Sequence, residues 1–173
     1  RDDGWAPESA SGMLIEDTLS ARLHPRQAAQ ALVAAIRTRG GVIEEGVSEP
    51  PAGAFGPRRI GAVVWAAGVQ GLADLSVSLG RTVGAGVKGQ AALFRCEARD
   101  QPQLFVDGLH IVPHGDGTVA VGSTSERDFT ASDTTDAQLD ALIERARAIC
   151  PALLNAAVIE RWAGVRPRAK SRA

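Results

Sequence analysis

The residue with the clearest chemical meaning is an arginine held between a glycine and a proline near the end of the chain. The stretch Trp162-Ala163-Gly164-Val165-Arg166-Pro167 follows a β-compatible run that starts at Ala157 and is expected to break at Ala163-Gly164. Proline restricts the residue before it to extended geometry, so Arg166 leaves the backbone in a limited set of directions. A planar guanidinium held in this way suits a carboxylate. The alternative is a surface arginine that follows an edge strand.

Two further side chains could take part in binding or proton transfer. Lys88 precedes Gly89 at the start of a predicted strand, where its ammonium could lie near an anionic ring or oxygen. His110 alternates with Ile111 in another predicted strand and could face a pocket as a hydrogen-bonding or acid/base group. The alternatives are a solvated turn lysine and a structural histidine.

Composition and motifs exclude several classes of function. The formal net charge is −1 and no basic block occurs, which argues against a nucleic-acid partner. No apolar run reaches the roughly 18 residues of a membrane span, and no signal peptide opens the chain, so we expect a soluble, cytoplasmic protein. The two cysteines and three histidines form no CxxC or HExxH, and no metal site is predicted. Glycine-rich phosphate loops, GxSxG elbows and paired carboxylates do not occur, so no catalytic residue is assigned.

Periodicity predicts the elements that must position these residues. Extended pieces are expected at 13–15 and 19–23, a helix at 25–39, strands at 42–45 and 60–67, and a short helix at 72–79. Strands at 87–97, 103–113 and 118–123 follow, with a hairpin turn at His114-Gly115-Asp116-Gly117. A last helix carries an apolar stripe and a capping box of Thr135 with Gln138.

This order predicts an α+β fold. We expect a mixed, mostly antiparallel sheet with helices as one lobe, together with a partial α/β lobe. The predicted boundaries are 1–24 for an entry loop and strands, 25–85 for the partial α/β lobe and 86–173 for the sheet lobe, truncated at its C-terminus.

Taken together, these stretches resemble the D-amino-acid oxidase-like family of FAD-dependent oxidoreductases, and within it the glycine and sarcosine oxidase branch. The resemblance covers residues 13 to 170. Five stretches carry it, in the order typical of the family: Pro25 to Ile43, Val64-Trp65-Ala66-Ala67-Gly68, Val87-Lys88-Gly89-Gln90, His110-Ile111-Val112-Pro113 with Val121-Gly122-Ser123-Thr124, and Trp162 to Pro167.

The resemblance implies that the sheet lobe is a substrate-binding lobe and that the partial α/β lobe is a Rossmann-like, FAD-binding one. It also implies roles for individual residues. Arg166 would bind the carboxylate of a small amino acid, with His110 and Ser125 as further substrate-binding candidates. The FAD contacts would come from Val47, Ser48, Ala66, Ala67, Gly68 and Lys88. The reaction implied is oxidation of the C–N bond of an amino acid or secondary amine, with hydride passing to flavin N5.

Departures from the family pattern limit this reading. His110 stands where glycine-oxidase-like members carry a tyrosine, and His114 where an arginine is expected, so the substrate stays open. The N-terminal GxGxxG and the C-terminal glycine-rich segment are absent from the sequence, and we therefore expect a central fragment that is inactive and does not retain FAD by itself. The alternative is a non-catalytic subunit or binding lobe of a flavoprotein dehydrogenase. Assembly as a homo-oligomer or with a flavin subunit is left open.

Overall fold

The computed structural model describes residues 4–7, 9, 11–46, 64 and 66–170. The chain divides into two compact units, one of Arg1–Arg22 with Ala67–Ala173 and one of Leu23–Ala66. The predicted boundaries of a flavin lobe and a substrate lobe stay a prediction. No described helix is both long and apolar enough to cross a lipid bilayer.

The smaller unit contains helix α1, Pro25–Thr38, which confirms the predicted helix. Pro25 occupies the first turn, where its missing N–H costs nothing, and the His24 side chain accepts a hydrogen bond from the Gln27 backbone. No residue of α1 is buried. The predicted strand at 42–45 is wrong, because these residues form no strand and Val42 is 77% exposed.

The larger unit is an antiparallel sheet with helices. Its sheet order is β2-β3-β4-β1-β5, and every pairing is antiparallel. This arrangement confirms the α+β class. The elements are α2 (Gly68–Ser78), β1 (Gly84–Arg95), β2 (Leu104–Val106), β3 (Leu109–Pro113), β4 (Thr118–Gly122), α3 (Ala137–Ile149), a 3-10 turn (Pro151–Leu153) and β5 (Ala157–Ala169).

One face of the sheet packs against α3, and we call it the helix face. The predicted apolar stripe of α3 is confirmed, since Leu139, Leu142, Ile143 and Ala146 are all buried. They meet the alternate strand residues that point the same way, among them Phe94, Ile111 and Val121. Because that burial is continuous across the three strands β3, β4 and β1, it fixes which side chains must point to the other face.

The other face of the sheet, which we call the open face, carries the neighbours of those buried residues. Cross-strand partners share a face, and His110 pairs with Gly122, Gly122 with Ala91, and Ala91 with Trp162. The predicted alternation in β3 is confirmed, because His110 is exposed while Leu109, Ile111 and Pro113 are buried.

The predicted strand at 103–113 proves to be a hairpin of two strands. Its turn is Asp107-Gly108, with φ of 48° and 79°. Two consecutive positive φ angles are the signature of a type I′ turn, for which Asp-Gly is a preferred sequence. The sequence predicts one continuous strand here because the residues on both sides of the turn are apolar.

The run before Arg166 does not break at glycine. Strand β5 continues unbroken from Ala157 to Ala169, and its register with β1 passes through Gly164 and Pro167. Pro167 is tolerated because β5 is an edge strand of the described sheet. No strand pairs with the outer side of β5, so the N–H that proline lacks is not needed for a hydrogen bond there. Arg166 is therefore aimed by strand pairing as well as by the proline.

Smaller corrections concern element ends. The extended pieces expected at 13–15 and 19–23 form no strand, and Ile15 and Leu19 are each 96% exposed. Helix α2 starts at Gly68, four residues before the predicted start. The cap of α3 is Asp136, whose side chain accepts from the Gln138 backbone, in place of Thr135.

Candidate active site

Strands β1 and β5 place Arg166 on the open face of the sheet. Arg166 pairs with Val87, and two residues along the ladder Gly164 pairs with Gly89. Side chains alternate along a strand, so Arg166 projects on the side of Val87 and Gly89, while its neighbour Val165 projects on the side of Lys88.

Two neutral oxygens of the segment after β4 hold the Arg166 guanidinium. Its Nη1 donates to Ser123 Oγ at 2.9 Å, and its Nη2 donates to the Thr124 carbonyl at 3.0 Å. Arginine has five N–H donors, so three stay available beyond these two bonds. None of the ion pairs among the described residues involves Arg166. The result is an exposed, oriented cation whose charge no described carboxylate balances.

The guanidinium lies across Gly89. A Cβ atom at that position would be 3.2 Å from Arg166 Nη2 and 3.2 Å from the Thr124 carbonyl oxygen. Gly164 on the neighbouring strand would place its Cβ in open space, with nothing within 4 Å. Of these two paired glycines, Gly89 is therefore the one whose missing side chain lets the guanidinium lie where it does.

The other predicted substrate residues share the open face with Arg166, and neither is a partner in the hydrogen bonds that Arg166 makes with described residues. His110 lies on β3, three strands from β5, which is about 14 Å between the strand backbones, and its ring is tilted by 41° against that of Phe105 with 4.6 Å between the centroids. Thr124 and Glu126 turn to the helix face, so alternation along this extended segment places the exposed Ser125 with Ser123. The structure thus places Ser125 in the segment that holds Arg166, and His110 opposite Gly122, the residue before Ser123.

Lys88 lies on the helix face, where two carboxylates surround it. Its side chain is 4% exposed, and its Nζ is 3.6 Å from Glu126 Oε2 and 3.9 Å from Asp136 Oδ2. The backbones of Lys88 and Glu126 also exchange two hydrogen bonds of 2.9 Å. The predicted contact of Lys88 with FAD stays a prediction, and the described partners of its ammonium are both acidic.

Gln90 completes this buried polar group. Its Nε2 donates to Glu126 Oε1 at 3.0 Å and to Asp136 Oδ1 at 2.8 Å, and its Oε1 accepts from the Asp136 backbone at 2.8 Å. We call Lys88, Gln90, Thr124, Glu126 and Asp136 the buried polar cluster, at whose edge the Asp136 side chain stays half-exposed. Both Nε2 donors and the Oε1 acceptor of the fully buried Gln90 amide therefore have partners, as a buried amide requires.

The cluster favours ionised carboxylates. Burial by itself raises the pKa of the Glu126 carboxyl, but hydrogen bonds from Thr124 and Gln90, together with the Lys88 ammonium, outweigh it and hold the pKa below its ordinary value. Hydrogen bonds from the Gln90 side chain and the Gln138 backbone lower the pKa of Asp136. Both acids are therefore charged near neutral pH and hold the lysine in place.

A cleft of about 970 Å³ opens on the helix face. The buried polar cluster contributes Lys88, Glu126 and Asp136 to its wall, and the loop 127–134 supplies much of the rest. Arg166 is not among the residues that line this cleft. The cleft therefore does not by itself identify the substrate position.

Apart from Lys88, the predicted FAD residues that the structure describes lie at the start of α2. Val47 and Ser48 lie outside the described residues. Ala67 is the N-cap of α2 and provides no side-chain cap, and Gly68 follows with a φ of 60° and no atom within 4 Å of where a Cβ would be. Uncapped amides at a helix start, with open space around a glycine, fit an anionic group such as a cofactor phosphate. Ala66 is exposed directly before them.

Sequence reasoning missed the residues that hold the two cations. Ser123, Thr124 and Gly89 position Arg166, and Gln90 with two acids positions Lys88. Gly89, Gln90, Ser123 and Thr124 belong to stretches that carry the family resemblance, but nothing in these stretches indicates which residue pairs with which. That information lies in the register between strands distant in the chain.

Comparison with known proteins supports the resemblance. Residues 4–173 match the family model described as FAD dependent oxidoreductase. A protein of Pseudomonas putida named glycine oxidase is 39% identical over 83 residues, which are 47% of this chain and 22% of that protein. A glycine oxidase of Pseudomonas aeruginosa is 33% identical over 82 residues, with the same shares. The matched region thus spans about a fifth of each curated relative.

Two solved structures share the fold. The glycine oxidase of Geobacillus kaustophilus superposes with a TM-score of 0.53 at 26% identity, over 61% of this chain and 29% of that one. The glycine oxidase of Bacillus cereus gives 0.52 at 26% identity, over 59% and 28%. With a family model that matches nearly the whole sequence, these findings show that the chain belongs to the D-amino-acid oxidase-like family of FAD-dependent oxidoreductases, in its glycine and sarcosine oxidase branch.

Proposed function

We propose that this chain forms the substrate-side part of an FAD-dependent oxidase that oxidises the C–N bond of a small amino acid or secondary amine. The observation that carries the proposal is the state of Arg166. It is an exposed guanidinium, oriented by two neutral acceptors and paired with no carboxylate among the described residues. The names of the relatives, glycine oxidases, support a substrate of this size and charge.

Arg166 would bind the substrate carboxylate. A carboxylate on the free edge of the guanidinium would balance the positive charge, which the neutral oxygens of Ser123 and Thr124 do not balance. The fixed N–H directions would orient this carboxylate. Exposed ion pairs in water are weak, so strong binding requires that water be excluded from the open face. A cofactor lobe laid over this face would provide that exclusion.

Bound FAD would supply the two-electron acceptor, which no side chain can replace. The contribution of this chain is position: Arg166 would fix the carboxylate of the substrate and thereby orient its α-carbon. His110 pairs with Gly122, next to the Ser123 that holds the guanidinium, and would border the substrate on that side. Ala67 and Gly68 would contact the cofactor.

The test uses the complete flavoprotein that contains this chain. After purification with FAD, anaerobic mixing with glycine or sarcosine should bleach the oxidised flavin absorbance, and admitting oxygen should restore it. A flavin that is bound but reduced by no amino acid or secondary amine would contradict the proposal. A protein that binds no FAD would favour the non-catalytic subunit instead.

A further inference from the structure

We propose that Thr124 is a positioning residue for the carboxylate-binding arginine, and that it links the buried polar cluster to Arg166 through the sheet. This inference rests on the proposed function of Arg166. Thr124 does not touch the substrate position with its side chain, which turns to the helix face. Its role would be to fix the carbonyl that Arg166 uses.

Thr124 is bonded at each of its polar groups. Its hydroxyl accepts from the Gln90 backbone N–H at 2.8 Å and donates to the Glu126 carboxylate. Its own N–H donates to the Gln90 carbonyl at 3.2 Å. Its carbonyl is the remaining group, and it accepts from Arg166 Nη2 at 3.0 Å. One peptide thus connects a buried network on one face with an exposed cation on the other.

The hydroxyl is the part of this link that can be changed alone. Without it, the Gln90 N–H and one Glu126 oxygen lose a partner, and only the 3.2 Å backbone bond still holds the segment to β1 at this point. The Thr124 carbonyl could then shift relative to Gly89, over which the guanidinium lies. A shift of the carbonyl moves Arg166, and ligand affinity depends steeply on the placement of an oriented group.

Ser123 and Val119 differ from Thr124 in how they relate to Arg166. Ser123 also contacts Arg166, but directly, through Oγ at 2.9 Å. Val119 is fully buried in the core of the same sheet and has no polar link to the open face. Val119→Ala is therefore a matched control, since it weakens the fold without touching the chain of bonds.

The experiment measures the dissociation constant of acetate, a carboxylate without an amine, from the change it causes in flavin absorbance of the complete protein. Thr124→Val removes the hydroxyl at nearly constant shape. It should raise this constant about fivefold, the effect of losing the one hydrogen bond between Arg166 and the displaced Thr124 carbonyl. Thr124→Ser keeps the hydroxyl and should stay within about twofold of the parent protein. Val119→Ala should leave the constant unchanged.

The same measurement in an Arg166→Ala background separates the two proposals. If Thr124 acts through Arg166, Thr124→Val should have no further effect there. An Arg166→Ala variant that binds acetate normally would overturn the proposed function. A normal constant for Thr124→Val, with Arg166→Ala impaired, would overturn this inference alone. So would failure of both Thr124→Val and Thr124→Ala to fold, because the hydroxyl would then be needed for the fold itself.

Discussion

Two cations sit almost side by side in this sheet and have opposite surroundings. Lys88 in β1 and Arg166 in β5 belong to neighbouring ladder pairs, but they project from opposite faces. Lys88 is buried between Glu126 and Asp136, whereas Arg166 is exposed and held by a hydroxyl and a carbonyl. The difference shows that a positive charge is available for a ligand only where the protein orients it without neutralising it.

The largest effect should be the difference in unfolding free energy between substitutions of Lys88 and of Arg166. Lys88→Met leaves two carboxylates close together without their cation, and it should lower the free energy of unfolding by about 3 kcal/mol, the lower end for a broken buried pair, because Asp136 keeps a half-exposed side chain. Arg166→Met, at an exposed site with neutral partners, should change it by about 0.5 kcal/mol or less. Urea denaturation at pH 7 measures both. Equal losses would erase the contrast.

A smaller effect should appear in the pH dependence of stability. The pKa of Glu126 is lowered in the folded protein, so the stability that its charge provides is present above the ordinary carboxyl pKa of about 4.3 and is lost as pH falls through the lowered value. Glu126→Gln removes this contribution. The unfolding free energy of the variant, measured by urea denaturation between about pH 5 and pH 3, should fall less steeply than that of the parent. Parallel curves would mean that Glu126 is not held as a carboxylate.

The smallest effect should come from a substitution of Gly89, over which the Arg166 guanidinium lies. Gly89→Ala places a methyl group 3.2 Å from Arg166 Nη2, so the side chain must move by a few tenths of an ångström. The Michaelis constant for glycine should rise about two- to fivefold. Gly164→Ala, which meets nothing within 4 Å on the paired strand, is the matched control and should change little. Similar effects of the two substitutions would show that Arg166 does not depend on Gly89.

Local rules predicted the elements better than their ends. Periodicity located α3 and its buried stripe, and the Gly-Asp-Gly turn joined β3 to β4 as expected. The Asp107-Gly108 turn carried an equally local signal that was overlooked among apolar neighbours. The predicted strand at 42–45 is wrong, because β propensity reflects packing against neighbouring strands and these residues pair with no described strand.

The candidate site could be predicted only in part. Arg166 was identified from Gly164 and Pro167, yet the structure shows that strand pairing and the oxygens of Ser123 and Thr124 also aim it. These partners lie more than forty residues away in sequence, and no local pattern records a register. For the same reason Lys88 was placed with the FAD residues, although the acids that surround it come from two later segments.

The central claim is that Arg166, and no other cation of its strand face, binds the substrate carboxylate. The direct measurement is the Michaelis constant for glycine in the complete flavoprotein, compared between Arg166→Ala and Arg168→Ala, since Arg168 is an exposed arginine two residues along the same face. A charge-assisted contact is worth about 1.5–3 kcal/mol, so Arg166→Ala should raise the constant about tenfold or more, and Arg168→Ala should stay within about twofold. An unchanged constant in Arg166→Ala, or an equal rise in both variants, would contradict the account.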